Sequence, residues 1–174
     1  MYPVDFKPLT SSLYHDYITV GTIAYNQHYR HLWPEGNTAT YIQNSFTKEV
    51  LIKEEGDENS ELFVITLEDI IVGILKLSYE KALTNYRNNE TLFLDKIYIK
   101  KEYTGKGIGK AALNFIATKA KTKLKKVVFL EAMQKGLALP FYIANGFSIV
   151  GTTQVPFNNV IEEEKPMYIL LKEI

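Results

Sequence analysis

The amino-acid sequence predicts one α/β domain, residues 1–174, built on a mixed β-sheet. Three observations favour this fold class. Apolar residues recur at helical spacing in the first third of the chain and follow strand patterns from Leu62 onward. A strand, a helix and a second strand follow one another between Leu92 and Ala132, which implies a parallel strand pair. A length of 174 residues with 46% hydrophobic residues suits a single core.

The first third of the chain is predicted to hold an edge strand and three helices. Val4–Lys7 is short, alternating and flanked by prolines, which is typical of an edge strand. Ser11 or Ser12 can cap a first helix that ends near Trp33. The two later helices are expected within Gly36–Phe46 and after a cap at Thr47.

The next segment is predicted to form a β-hairpin. Leu62–Leu67 and Ile70–Tyr79 are rich in β-branched and aliphatic residues, and Glu68-Asp69 joins them in a tight turn. Gly73 interrupts the second strand, which indicates a bulge at that position.

A strand–helix–strand unit follows a polar loop. Leu92–Ile99 is an apolar strand, helical spacing begins at Ile108, and Lys125–Ala132 is a second buried strand. A glycine followed by an apolar residue is typical of the Schellman motif that ends a helix. The remaining elements are a helix at Leu137–Ala144, closed by Asn145-Gly146, and strands at Phe147–Val155 and Met167–Leu171.

The turn between Ile99 and the long helix has the composition of an anion site. Alternating glycines permit positive φ and let the backbone come close to a ligand. The start of a helix offers unpaired N–H groups and the positive end of its dipole. We therefore predict a diphosphate cradle formed by Thr104, Gly105, Lys106, Gly107, Ile108, Gly109 and Lys110.

Composition excludes several classes of function. Lysine plus arginine balances aspartate plus glutamate at 20 each, so bulk nucleic-acid binding is not expected. The chain has no cysteine, and His28 and His31 have no partners spaced to complete a metal site, so we predict no metal. The N-terminus lacks a signal-like apolar stretch, and the longest aliphatic run is only Ile70–Leu75. We expect a cytoplasmic protein without membrane association.

Two sequence blocks resemble the GNAT superfamily of N-acetyltransferases. The first block is Thr104–Gly109, in which Gly107 and Gly109 match the hallmark glycines and Thr104 replaces the usual Gln or Arg. The second block runs from Lys135 to Tyr142 and is followed by Gly146-Phe147, with Lys135 at a position where Asn is common. The resemblance implies a twisted, mostly antiparallel sheet of about seven strands, flanked by helices, with a parallel pair at its centre.

Segments outside these blocks resemble the PaiA-like branch of the superfamily. Members of this branch are linked to spermidine and spermine acetylation. The segments that carry the likeness are Trp33-Pro34-Glu35, Tyr41-Ile42, Ser45–Glu49 and Leu94–Ile99.

The resemblance implies acetyl-CoA as co-substrate. The backbone of Ile97, Tyr98 and Ile99 would bind the pantetheine arm almost as an added strand. The glycine turn would hold the pyrophosphate, and Lys135 and Ala138 of the second block would complete the cofactor site.

Tyr142 is the predicted general acid. Amine acetylation expels a thiolate that must be protonated, and the family places a tyrosine at this position. Residue chemistry alone also allows Tyr142 to be a core aromatic beside Phe141 and Phe147.

The proton acceptor is less determined by the sequence. Asp95 lies two residues before Ile97, so the strand period puts both on one face, where Asp95 can anchor or deprotonate the amine. Phe93 stands where some family members carry a glutamate base. Glu131 on the neighbouring strand is an alternative, and water can also relay the proton.

We predict an N-acetyltransferase in which a small primary amine or polyamine attacks acetyl-CoA directly in a ternary complex. The absence of cysteine excludes an acyl-cysteine intermediate. The alternatives are acetylation of a protein N-terminus or lysine, and a non-catalytic acyl-CoA-binding regulatory module. Many relatives dimerise, so a homodimer is also considered.

Overall fold

A computed structural model describes residues 3–174, and its helices and strands follow the predicted order. The helices are α1 (Tyr14–Tyr29), α2 (Ala39–Ser45), α3 (Lys48–Glu55), α4 (Ile108–Thr122) and α5 (Leu139–Ala144). The strands are β1 (Val4–Pro8), β2 (Ser60–Leu67), β3 (Ile70–Tyr79), β4 (Thr91–Ile99), β5 (Val127–Met133), β6 (Ser148–Gln154) and β7 (Pro166–Glu173).

The seven strands form one sheet in the order β1-β2-β3-β4-β5-β7-β6. The central β4–β5 pair is parallel, and the other neighbouring strands are antiparallel. The predicted fold class is therefore confirmed, including the edge position of the first strand. The parallel pair arises because α4 carries the chain across one face of the sheet between β4 and β5.

Each face of the sheet has its own hydrophobic core. On the α4 face, a stripe of α4 with residues such as Ile108 and Ile116 packs against Leu75, Leu92 and Leu130 of the sheet. The stripe has the helical spacing expected of an amphipathic helix. On the α1 face, helices α1 to α3 cover the sheet; this core is formed by residues that include Tyr17, Trp33, Phe46, Leu51, Val64 and Ile74.

The first helix begins later than the serines predicted. Residues Ser11–Leu13 form a 3₁₀ turn, α1 starts at Tyr14, and no side chain caps its first turn. The Ser12 hydroxyl lies 2.9 Å from that of Thr10 instead. The helix also ends at Tyr29, before Trp33, because a further 3₁₀ turn follows it. These serines therefore lie in a turn before α1 and do not cap the helix.

The second helix is shorter than its predicted range, and the cap of the third is confirmed. Residues Pro34–Gly36 form a 3₁₀ turn, so α2 covers only Ala39–Ser45. The Thr47 hydroxyl accepts a hydrogen bond from the backbone N–H of Val50 at 3.2 Å. This bond satisfies one of the free donors at the start of α3.

The β2–β3 hairpin has the predicted turn and the predicted irregularity. Glu68 and Asp69 have φ values of 49° and 64°, as in the turns that match the twist of hairpin strands. Ile65 pairs with Gly73 while Thr66 pairs with Ile71, so β3 carries one extra residue beside Gly73. The bulge predicted from Gly73 is therefore present.

The helix α5 begins at Leu139, two residues after the predicted start, and ends as predicted. The N–H of Phe147 donates to the carbonyl of Tyr142, and the N–H of Gly146 donates to that of Ile143, both at 3.1 Å. Gly146 has φ of 88°. This is the Schellman motif, and it fixes Tyr142 on the last full turn of the helix.

No helix within residues 3–174 is both long and apolar enough to cross a membrane.

Replacing Gly73 by alanine is expected to destabilise the sheet. A Cβ at this position would lie 2.6 Å from the carbonyl oxygen of Tyr98 in β4, so the backbones would have to separate. We expect a loss of about 1–3 kcal/mol in the free energy of unfolding, measured by urea denaturation. Gly56→Ala is the control, since its Cβ would be 3.4 Å or more from its neighbours. Equal midpoints for the two variants would contradict this close approach.

Candidate active site

The parallel strands β4 and β5 separate after three residue pairs. Thr91, Leu92 and Phe93 pair with residues 127–129, and no pairs follow toward the C-terminal ends of the two strands. A cleft of about 470 Å³ lies where the strands part, and residues 94–98 and 130–133 line its two sides. The interrupted ladder leaves backbone donors and acceptors facing the cleft.

Alternation along β4 shows which backbone groups face this cleft. The N–H of Lys100 donates to Val72 in β3, and the carbonyl oxygen of Tyr98 points toward Gly73 in β3. In an antiparallel pair such groups alternate, so the backbone groups of Ile97 and Ile99 point away from β3, and those of Ile97 lie in the wall of the cleft. Of the three residues predicted to bind pantetheine through the backbone, Tyr98 is directed at β3 instead.

His28 of α1 contacts the C-terminal end of β4. Its Nε2 lies 2.9 Å from the carbonyl oxygen of Ile99. A carbonyl oxygen can only accept, so Nε2 carries the proton and donates.

No group of three or more His, Cys, Asp or Glu residues within 3–174 is arranged to bind a metal ion.

The predicted anion cradle is an exposed glycine turn at the start of α4. Gly105 and Gly107 have φ values of 73° and 82°, which L-residues rarely adopt. Gly107 is the N-cap, and no side chain caps the first turn of α4. The Thr104 hydroxyl donates to the carbonyl of Lys101 at 2.7 Å and so does not serve this turn. The N–H groups of the first turn therefore remain available to an anion.

The other residues of the predicted cradle and second block lie around the same opening. Gly109 packs against Phe141, whose ring would be 3.1 Å from an added Cβ. Lys135 and Ala138 line the cleft, and the Lys135 ammonium is 4.0 Å from a carboxylate oxygen of Glu164. Because the Lys135 side chain is 63% exposed, this pair contributes little to stability. Lys106 and Lys110 are exposed beside the turn.

Tyr142 lies at the inner wall of the cleft. It is 8% exposed and packs edge-on against Phe147. Burial, with a smaller contribution from Tyr29, raises the pKa of Tyr142 well above its ordinary value. The phenol therefore stays protonated at neutral pH and can donate a proton into the cleft.

A bulge in β4 places Asp95 outside the regular ladder. Lys76 of β3 pairs with Lys96, whereas the next residue, Leu77, pairs with Leu94. Asp95 is thus the extra residue on β4. A bulge bends the strand and redirects the side chains on either side of it.

The expectation that Asp95 shares a face with Ile97 is therefore wrong. Ile97 packs against the core of the α4 face. The Asp95 carboxylate instead accepts a hydrogen bond from Ser78 at 3.1 Å. Ser78 lies four residues after Ile74, whose side chain belongs to the core of the α1 face. The regular two-residue period does not continue across the extra residue.

Asp95 belongs to a buried network of four charges. The Lys76 ammonium lies 2.8 Å from Glu54 Oε1 and 3.0 Å from Asp95 Oδ2, and Lys96 lies 3.6 Å from Glu54 Oε1. Burial favours a raised pKa for Asp95, but the charges of Lys76 and Lys96 and the hydrogen bonds outweigh it, so the pKa is lowered. Burial lowers the pKa of Lys96.

Glu131 is the second carboxylate in the cleft wall. Its neighbours Leu130 and Ala132 belong to the core of the α4 face, so alternation puts Glu131 on the α1 face, the same face as Asp95. Within residues 3–174, Glu131 takes part in no ion pair. It is therefore free to interact with a cationic ligand.

An aromatic wall, formed by Tyr25, Tyr41, Tyr98 and Phe157, lies on the α1 side of the cleft and is not predicted from the sequence. The rings of Tyr25 and Tyr41 stack at 3.8 Å, and the hydroxyls of Tyr41 and Tyr98 share a hydrogen bond. Phe157, from the β6–β7 loop, contacts Tyr41 edge-on at 5.9 Å. Helical spacing of Tyr25 and Tyr29 was the only signal available, and it equally describes a core face.

Two loops meet over this wall. The N–H of Ile161 donates to the carbonyl of Leu32 at 2.9 Å, and the Asn159 amide donates to the Thr40 hydroxyl at 3.0 Å. These bonds join the β6–β7 loop to the end of the segment after α1 and to the first turn of α2.

The fold and this cleft define the class of protein. A model of the acetyltransferase (GNAT) domain matches residues 58–149, more than half of the 174-residue chain. This range contains the hairpin, the parted strands, the glycine turn, Tyr142 and the end of α5. The chain therefore belongs to the GNAT family of acetyl-CoA-dependent N-acetyltransferases.

Individual relatives are similar to the chain over most of its length. It is 28% identical over 133 residues to the spermidine N(1)-acetyltransferase of Thermoplasma acidophilum, covering 71% of this chain and 75% of that protein. The PaiA N-acetyltransferase from Thermoplasma acidophilum, in complex with coenzyme A, has a TM-score of 0.77 at 19% identity and 99% coverage of both chains. A GNAT acetyltransferase from Elizabethkingia anophelis with acetyl-CoA bound has a TM-score of 0.65 at 17% identity and 98% coverage of both.

Proposed function

We propose that the chain transfers the acetyl group of acetyl-CoA to a small primary amine in this cleft. The proposal depends on one observation: β4 and β5 separate next to the start of α4, which is rich in glycine and has no side-chain cap. The backbone groups of Ile97 and the N–H of Ile99 point away from β3 and match an extended amide-containing arm, which would pair with β4 as an added strand. The first turn of α4 suits a diphosphate, with Lys106 and Lys110 nearby.

Tyr142 is proposed as the proton donor to the leaving thiolate. The amine nitrogen forms a bond to the thioester carbonyl carbon, the carbon–sulfur bond breaks, and the sulfur takes the phenol proton. The position of Tyr142 in the inner wall of the cleft supports this role. The core packing of the ring holds the hydroxyl in place.

The two carboxylates of the cleft suit different tasks. Asp95 is held ionised by Lys76, and a carboxylate of lowered pKa anchors an ammonium better than it accepts a proton. Glu131 has no ion-pair partner within residues 3–174, so it can take the proton released by the amine, directly or through water. We propose Asp95 as the anchor and Glu131 as the proton acceptor.

Polyamines are the acceptors proposed for this cleft. The Thermoplasma acidophilum relative is a spermidine N(1)-acetyltransferase. Asp95 and Glu131 place two carboxylates on one face of the sheet, and both line the cleft, which suits a substrate with more than one ammonium group.

The direct test is thiol release from acetyl-CoA with a panel of amines. Because the chain contains no cysteine, a thiol reagent detects only the released coenzyme. We expect turnover with spermidine and one added acetyl group by mass spectrometry, and little with peptides bearing a free N-terminus or lysine. Binding of coenzyme A without turnover of any amine would favour the regulatory module, and absence of binding would contradict the cofactor site.

Tyr142→Phe is expected to lower kcat by about a hundredfold or more, since the proton donor is lost while the ring still fills its pocket. The dissociation constant for coenzyme A, measured by calorimetry, should change little. Tyr86→Phe is the control, because Tyr86 does not line the cleft. Undiminished kcat in the Tyr142 variant would remove this residue from the mechanism.

Gly107→Ala is expected to weaken coenzyme A binding by about tenfold, the equivalent of about 1.4 kcal/mol. Its φ of 82° is costly for alanine, so the turn shifts and the first N–H groups of α4 move. Gly36→Ala is the control, because Gly36 has φ of 68° but lies far along the chain from the turn. If both variants bind coenzyme A equally well, the turn does not hold the diphosphate.

A further inference from the structure

We propose that Lys76 is a positioning residue that holds the Asp95 carboxylate in the orientation needed to anchor the acceptor ammonium. This inference rests on the proposed function. Lys76 lies on β3, outside the motifs that the sequence analysis singled out, and it does not line the cleft itself.

Asp95 contacts β3 through one of its two carboxylate oxygens. Its Oδ2 accepts the hydrogen bond from Ser78 and lies 3.0 Å from the Lys76 ammonium. Asp95 lines the cleft, and 27% of its side chain is exposed. One carboxylate oxygen is thus tied to β3, which leaves the other for a ligand. As the extra residue of a bulge, Asp95 has no opposing residue on β3 to fix its side chain.

Lys76 is itself held from the other side. Its ammonium donates to Glu54 Oε1 of α3 at 2.8 Å, and the two side chains are only 12% and 16% exposed. A lysine with this burial cannot exchange its partners for water at low cost. The ion pairs of Lys76 with Glu54 and with Asp95 therefore connect α3, through β3, to the wall of the cleft.

The charges around Asp95 determine the effect of removing Lys76. Asp95 interacts with Lys76 on β3, Lys96 on β4, Tyr41 on α2 and Tyr17 on α1, while Glu54 on α3 contacts the two lysines. Burial raises the pKa of both tyrosines, so they stay neutral. Without Lys76, burial and Glu54 favour the protonated acid, and the pKa of Asp95 rises.

The test is the pH dependence of the spermidine KM in Lys76→Met. As pH falls from about 8 to about 5.5, we expect the ratio of variant to wild-type KM to rise about tenfold, because Asp95 loses its charge. The variant-to-wild-type ratio cancels the protonation of spermidine itself. A merely structural role would change KM by the same factor at every pH. Lys76→Arg should restore a constant ratio.

Lys7→Met is the matched control, since it breaks an exposed lysine–aspartate pair at 3.1 Å and should leave the ratio constant. If Lys76→Met does not fold, the double variant Lys76→Met, Glu54→Gln removes one charge of each sign and is measured instead. Carbon-13 NMR titration of the Asp95 carboxyl, assigned with Asp95→Asn, gives a second readout. We expect its pKa to be higher in the variant than in the wild type.

A constant KM ratio, or an Asp95 pKa that is the same in wild type and variant, would overturn the role of Lys76 while leaving the acetyltransferase intact. Wild-type protein that turns over no amine would overturn the proposed function, and the anchoring role of Asp95 with it. The two failures are therefore distinguished by the wild-type assay alone.

Discussion

The central constraint on this molecule is that β4 and β5 pair over only three residues and then part. A sheet interior with unpaired backbone groups is costly unless a ligand or solvent satisfies them. The bulge at Asp95 bends β4 at the point where the separation begins. The resulting cleft joins the two faces of the sheet, with the glycine turn and Tyr142 on the α4 side and both carboxylates on the α1 side.

The four charged side chains of the network around Asp95 stabilise one another. Lys76, Lys96, Glu54 and Asp95 are largely buried, and each alone would be expensive to remove from water. Together they balance, which lets ionised groups lie beside a hydrophobic core. The exposed Lys7–Asp69 pair has a similar separation but is screened by solvent, so the same contact contributes little there. Burial thus makes each partner of the network dependent on the others, which does not hold for the exposed pair.

Features with purely local causes were predicted well. Thr47 caps α3, Glu68-Asp69 turns the hairpin, and Gly146 ends α5, because in each case the deciding hydrogen bonds or φ values involve residues a few positions apart. The positive φ values of Gly105 and Gly107 belong to the same class. Ser11 and Ser12 are the exception, since they lie in a 3₁₀ turn that the sequence pattern does not distinguish from a helix start.

The sequence by itself determined the order of the elements, the parallel crossover, the family and the position of the glycine turn. These features follow from periodicity and from motifs contiguous in the chain. Only the tertiary structure decided on which face Asp95 lies, that Glu131 has no ion-pair partner within residues 3–174, and that Lys76 contacts Asp95. Each of these depends on the register between strands, and one extra residue in β4 redirects every side chain beyond it. Partners such as Lys76 and Asp95, 19 positions apart, meet only when the sheet has formed.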